Sequence, residues 1–160
     1  MATSPEMNRI VALGWAWGSS EPESMVVGLN GVTEADLLER FWAMAQAALK
    51  IVGFNILGFD IPTVCVRSML LGVEPSRQID LKSWGNDCID LMKVRWPAGQ
   101  ARTLKWTAKA LGIVAPAGDM DGSQVANIYQ TNPAKVGEYV RSDVYLSQQI
   151  HGLYRGFFCS

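Results

Sequence analysis

The chain has 160 residues, of which 49% are hydrophobic and 18% charged, with a net charge of −1. That balance excludes a disordered tail, and the length suits one domain able to bury a core without disulfides or structural metals. No apolar run reaches the roughly 18 residues of a membrane span, and residues 1–8 are polar with no signal-peptide core, so the protein is expected in the cytoplasm.

The coarse pattern alternates strands and helices. Residues 9–17 are almost continuously apolar and bounded by Gly18-Ser-Ser, which predicts a buried strand. Residues 25–29 predict a second strand, ended by the turn signal Asn30-Gly31. Thr33 begins a helix, with Asp36 in the position of a capping box and an apolar face of Leu37, Leu38, Phe41, Trp42, Ala45, Ala48 and Leu49. Residues 51–55 are the next strand. Asp60 and Pro62 then mark a helix start, and that helix is expected to stop at Gly72. Residues 88–92 read as a short strand, 96–99 as a turn and 103–111 as a helix ended by Gly112, while 113–131 read as loop. Asn132 and Pro133 open a last long helix to about residue 154. The sum is an α/β layer fold with a mixed sheet.

Cys65, Cys88 and Cys159 are odd in number and scattered, which supports neither a disulfide framework nor a zinc knuckle and leaves them as buried thiols. The single histidine, His151, excludes a His-rich metal site, and a lone helical histidine is most simply structural. Charge is uneven along the chain. Residues 1–60 carry three basic and seven acidic side chains, whereas residues 82–109 carry six basic and two acidic. Trp84, Trp96 and Trp106 fall within that basic stretch, a mixture that suits single-stranded nucleic acid but equally a solvated helix and loop. Trp15 and Trp17 share one strand face and are expected in the core.

Two segments hold candidate chemistry. Asp60 follows a Gly-containing turn after the strand at 51–55, and ligands gather at the carboxyl ends of strands in open α/β sheets. The plain alternative is that Asp60 only caps its helix. In the last helix, Tyr139 and Asp143 lie four apart on one face, and Asp143 interrupts a stripe of Val136, Leu146 and Ile150. A carboxylate turned toward a core needs an arginine, a hydrogen-bond network or a metal ion. Asp80, Asp90, Asp119 and Asp121 read as loop residues that cap or solvate.

Asn55-Ile-Leu-Gly-Phe-Asp60 resembles the second motif of the DEDD 3′–5′ exonucleases, and Tyr139-x-x-x-Asp143 resembles their third motif in its tyrosine form. The similarity is to exonucleases of bacteria and phages related to the proofreading domain of family B DNA polymerases. Residues 88–92, 104–112 and 121–125 match further pieces in order, so the resemblance runs from about residue 9 to 154. It implies a ribonuclease-H-like mixed sheet flanked by helices. It also implies two Mg²⁺ or Mn²⁺ ions on four carboxylates, of which Asp60 and Asp143 are two. Tyr139 would orient the attacking water, Asn55 and Phe59 would lie near the terminal nucleotide, and Lys105 belongs to the matching basic helix. The substrate would be DNA, with single-stranded 3′ ends.

The family's first strand bears Asp-x-Glu, and no such motif stands before the strand at 9–17, where Glu6 is the only acid. The chain is therefore expected to be missing its first central strand, as a fragment, as a split enzyme completed by a dimer or partner chain, or as an inactive relative that binds nucleic acid or a partner through the same groove. A third reading is an unrelated α/β domain with Asp60 as a plain cap.

Overall fold

The computed structural model describes residues 2–3, 9–81, 87–93, 102–117 and 122–157. β1 (Ala2–Thr3), β2 (Ile10–Trp15) and β3 (Glu23–Val26) form an antiparallel sheet in the order β1-β2-β3. β4 (Ile51–Gly53) and β5 (Cys88–Asp90) form a separate parallel pair. The helices are α1 (Glu34–Ala47), α2 (Ile61–Leu71), α3 (Leu104–Ala110), α4 (Val125–Thr131) and α5 (Pro133–Tyr154). The mixed α/β reading holds, but the expected sheet is divided in two.

Local chemistry accounts for most boundaries. Thr33 caps α1 through the Asp36 N–H, and the Asp36 carboxylate accepts the Thr33 N–H at 2.7 Å, completing the capping box. The Thr33 hydroxyl, which also donates to this carboxylate, and then the Thr33 N–H hold the Asp36 carboxyl below its usual range. Gly72 ends α2 in the left-handed region at φ 69°, where a side chain would be strained. Thr103 caps α3 by accepting the Trp106 N–H.

Two apolar layers sandwich β2. Leu13 packs with Leu37, Leu38 and Trp42 of α1 and Val64 of α2. Ala12 and Val26 pack with Val136 and Val140 of α5. α5 also reaches β3, β4, α3 and α4, so this one helix touches both sheets. Its Leu146 and Ile150 join Ile89 and Leu91 around β5, and all of these are buried. Gly14 is pressed so closely on α5 that a Cβ there would lie 2.9 Å from the Val140 carbonyl oxygen.

A buried ion pair ties the first layer together. Arg67 of α2 grips Glu34 of α1 with two hydrogen bonds of 2.7 Å, and Glu34 also accepts the Ile10 N–H at 2.8 Å. Both side chains are buried, and Arg9 approaches Glu34 at 3.4 Å. A buried carboxylate is tolerated here because each oxygen is matched.

Several expectations need correction. Residues 125–131 form α4 rather than loop, with Val125, Ile128 and Tyr129 facing α5 and β3, and residues 122–124 form a short 3₁₀ turn before it. The second strand lies at Glu23–Val26, two residues earlier than its apolar pattern suggests. Trp15 is partly buried, but Trp17 lies beyond the end of β2 and is 45% exposed, so it is not core. Cys88 is buried and Cys65 partly so. The Cys88 thiol is pushed up to about 11 by burial, reinforced by the Asp87 charge. The turn at 96–99, Trp84, Trp96, Asp119, Asp121 and Cys159 lie outside the described residues.

Candidate active site

A tight π turn, residues Ile56–Asp60, links β4 to α2 and presents Asp60. Its start is Asn55, a non-glycine residue in the left-handed region at φ 60°. What holds the turn is Asp90, at the end of β5 and fully buried. Its carboxylate accepts the N–H groups of Asn55 at 2.8 Å, Leu57 at 3.2 Å and Met92 at 3.1 Å. The expectation that Asp90 merely caps or solvates a loop is corrected: it is a buried anchor for the turn that carries Asp60. Asp60 itself has helical backbone angles and makes no capping hydrogen bond, which removes the plain-cap reading.

Opposite this turn stands Asp143 on α5. The spacing of Tyr139 and Asp143 works as a helical face should, and the Tyr139 hydroxyl hydrogen-bonds the Asp143 carboxylate. Asp143 Oδ1 is nevertheless buried without a hydrogen-bond partner. Burial raises the Asp143 carboxyl above its usual range; the Tyr139 hydrogen bond and the Lys105 charge oppose this, and the Asp60 charge adds to it. Lys105 of α3 sets its ammonium 4.9 Å from the Tyr139 ring centroid, a cation–π contact. Arg102 stacks likewise on the 42%-exposed Trp106, at 4.6 Å.

Asp60 and Asp143 line one cleft of about 1040 Å³ between β2 and β4. Asn55 and Phe59 line it as well, and the Phe59 ring is 40% exposed. Tyr139 and Lys105 are not part of its wall and reach the site through Asp143. His151 does line it, with Nε2 buried and unpartnered, and burial lowers its pKa. Sequence reasoning set both His151 and Asp90 aside. The position of His151 two turns along from Asp143 was a usable signal, whereas nothing in the sequence marks Asp90 as the acceptor for a turn 33 to 35 positions earlier.

The donor set suits a hard divalent cation in part. Two carboxylates on one cleft, one with an orphaned buried oxygen, offer the oxygen ligands that Mg²⁺ or Mn²⁺ prefers. Among the described residues no three His, Cys, Asp or Glu side chains gather as an ion-holding group.

A mixed α/β core with helices on both faces of β2, and an acid-bearing turn set across a cleft from an acid on the last helix, are consistent with a ribonuclease-H-like fold. The chain belongs to the family described as predicted 3′–5′ exonucleases related to the exonuclease domain of PolB, whose model matches residues 4–147. No curated protein matches it. Family membership implies a nucleic-acid ligand. No helix among the described residues is long and apolar enough to cross a membrane.

Proposed function

We propose that the chain is a single exonuclease-like domain of a 3′–5′ exonuclease acting on DNA ends, with Asp60, Asp143 and Tyr139 as its catalytic residues. The observation that carries this reading is the buried, unpartnered Oδ1 of Asp143 on the same cleft as Asp60. A desolvated carboxylate oxygen with no donor is costly, and a cation is the partner that relieves it. Asp60 and Asp143 would hold Mg²⁺ or Mn²⁺, which supplies Lewis-acid charge and an activated water when bound. Tyr139 holds the Asp143 carboxylate in place and keeps a hydroxyl beside it to orient water. Phe59 offers its exposed ring to the terminal base, and Asn55 turns the backbone that presents it. Lys105, beside Tyr139, adds positive charge for the phosphate.

A second reading, a non-catalytic domain that binds nucleic acid or a partner through the same groove, is favoured by the lack of an Asp-x-Glu and of a third acid in the described site. The unmodified chain, with Mg²⁺ and Mn²⁺ on 3′-labelled single-stranded DNA beside Asp143→Asn, separates the two. Two carboxylates supply half the ligand charge of the family site, so this chain is expected to cleave poorly or not at all. Robust cleavage that the substitution eliminates would show that these residues suffice. Joining a strand that bears Asp-x-Glu ahead of β1 is expected to raise both melting temperature and metal-dependent cleavage. If such a chain folds and still fails to cleave, the exonuclease reading is wrong.

A further inference from the structure

The cleft carries its charges at two ends. Its acidic residues are Asp60 and Asp143, and its basic ones are Lys50, His151 and Arg155. Asp60 follows the end of β4, and its charge reaches Asp143, whereas Lys50 precedes the start of β4. His151 and Arg155 lie eight and twelve positions beyond Asp143, on α5 and at its C-cap. At 1.5 Å per residue those steps are about 12 and 18 Å along the helix. Both elements therefore lead from the acid end of the cleft to a basic end. Lys50 and Arg155 are exposed, and among the described residues neither has an ion-pair partner. His151, one turn from Arg155 on the same face, keeps Nε2 buried without a hydrogen-bond partner. Burial, then the Arg155 charge, lowers its pKa, so the ring is neutral at pH 7 and can carry its proton on Nε2. Gln148 does not serve it, because that amide is given to the Gly18 and Ser20 carbonyls.

We infer that this basic end is a phosphate subsite, in which Lys50, His151 and Arg155 hold one backbone phosphate of a nucleic-acid strand whose 3′ end lies at Asp60 and Asp143. The subsite rests on the nucleic-acid reading given above and adds a second anchor to it. An anion is what these three groups lack, since a buried ring N–H with no acceptor is costly and two cations on one wall repel. A phosphate offers oxygens to all three donors, and the soft χ2 torsion of histidine lets the ring turn Nε2 toward the cleft. The acid end repels phosphate unless a cation sits there, so the basic end supplies attraction that the acid end does not. At roughly 3.4 Å per nucleotide of stacked strand, about 12–18 Å places the held phosphate four or five nucleotides from the terminus. The bases between them pack on Phe41, Met44 and Val144 of the cleft walls.

The chain has a single histidine, so every imidazole signal in the NMR spectrum of the full chain belongs to His151. Oligothymidylates of three and eight nucleotides are the probes, with Ca²⁺ in place of Mg²⁺ as the hard cation for the acid end. The longer strand is expected to shift the imidazole signals saturably, and the shorter one to leave them unmoved. Lys50→Gln and Arg155→Gln change exposed side chains, so the fold is kept. Each should lower the slope of log affinity against log salt by about 0.7 for the longer strand and by nothing for the shorter. His151→Phe should weaken the longer strand by about tenfold or more, as for a lost hydrogen bond to a charged group. A longer strand that binds without moving the imidazole signals, or equal slope losses for both lengths, would overturn the subsite and leave the nucleic-acid reading standing. Inorganic phosphate that moves the signals as far as the longer strand does, at equal phosphate concentration, would make this a site for the free anion and overturn the assignment to a strand. Binding of neither strand would remove the nucleic-acid reading and the subsite together.

Discussion

Asp143→Asn is expected to stabilise the protein while removing its most exacting functional group. The carboxylate is largely desolvated, and Oδ1 has no donor. An unsatisfied buried acceptor costs about 1–3 kcal/mol. Tyr139 and Lys105 offset part of that here, so a net gain of about 1 kcal/mol is expected for the isosteric neutral amide. For a chain of this size that is a rise in Tm of roughly 2–4 °C at neutral pH. The pH dependence follows from the raised carboxyl. In the unfolded chain the group ionises near 3.8, whereas the folded chain holds its proton to higher pH. Its contribution to stability is therefore fully present below 3.8 and is lost as pH rises through the raised folded value. The wild type should match the variant at the acid end and fall behind it toward neutrality. Thermal melts of both proteins from pH 3.5 to 8 measure the gap directly. Mg²⁺ or Mn²⁺ should then raise the wild-type Tm at pH 7 and leave the variant unmoved. A variant less stable than wild type at pH 7, with a difference that does not shrink on acidification, would refute the reasoning.

In the complete enzyme, Asp143→Asn should abolish cleavage and Tyr139→Phe should slow it by roughly 10²–10⁴-fold at most, as for a lost proton-handling group; equal, near-wild-type rates for both would remove them from the mechanism. Glu34→Gln breaks a buried pair and should cost about 3–5 kcal/mol, read as a shift in the urea midpoint; replacing Arg67 by Met in the same chain should restore part of it. Gly14→Ala forces a methyl onto the Val140 carbonyl and should cost about 1–3 kcal/mol by the same measurement. Asp90→Asn sets an amide NH₂ among backbone donors, and should speed amide exchange at Asn55 and Leu57 before the rest of the core is affected.

Features that depend on neighbours in sequence were legible. The capping box at Thr33 and the stop at Gly72 each involve residues no more than four positions apart, so α1 and α2 could be read directly. The long face of α5, and with it the pairing of Tyr139 and Asp143, follows from helical period alone. α4 escaped because seven residues show only one repeat of that period, and its Val125, Ile128 and Tyr129 become a face only once α5 and β3 are there to meet it. Distant partnerships were invisible: Glu34 with Arg67, 33 positions apart, and Asp90 with Asn55, 35 apart, are matches that only the folded chain creates. The division of the sheet followed the same rule. Each strand could be read from its own residues, but which edges find partners could not.

The long reach of α5 sets the order in which this molecule can be completed. Among the described residues no strand of one sheet pairs with a strand of the other, and the last helix is packed against strands of both. During synthesis from the N-terminus, α1 and α2 can cover one face of β2, but the faces of β2 and β4 that α5 covers stay open until residues 133–154 have left the ribosome. At roughly 5–20 residues per second, that interval lasts several seconds for the stretch between β4 and the end of α5. The same late segment delivers Asp143 and Tyr139. Until then the nascent chain exposes apolar, aggregation-prone surface, and its candidate site comes into being only when α5 arrives.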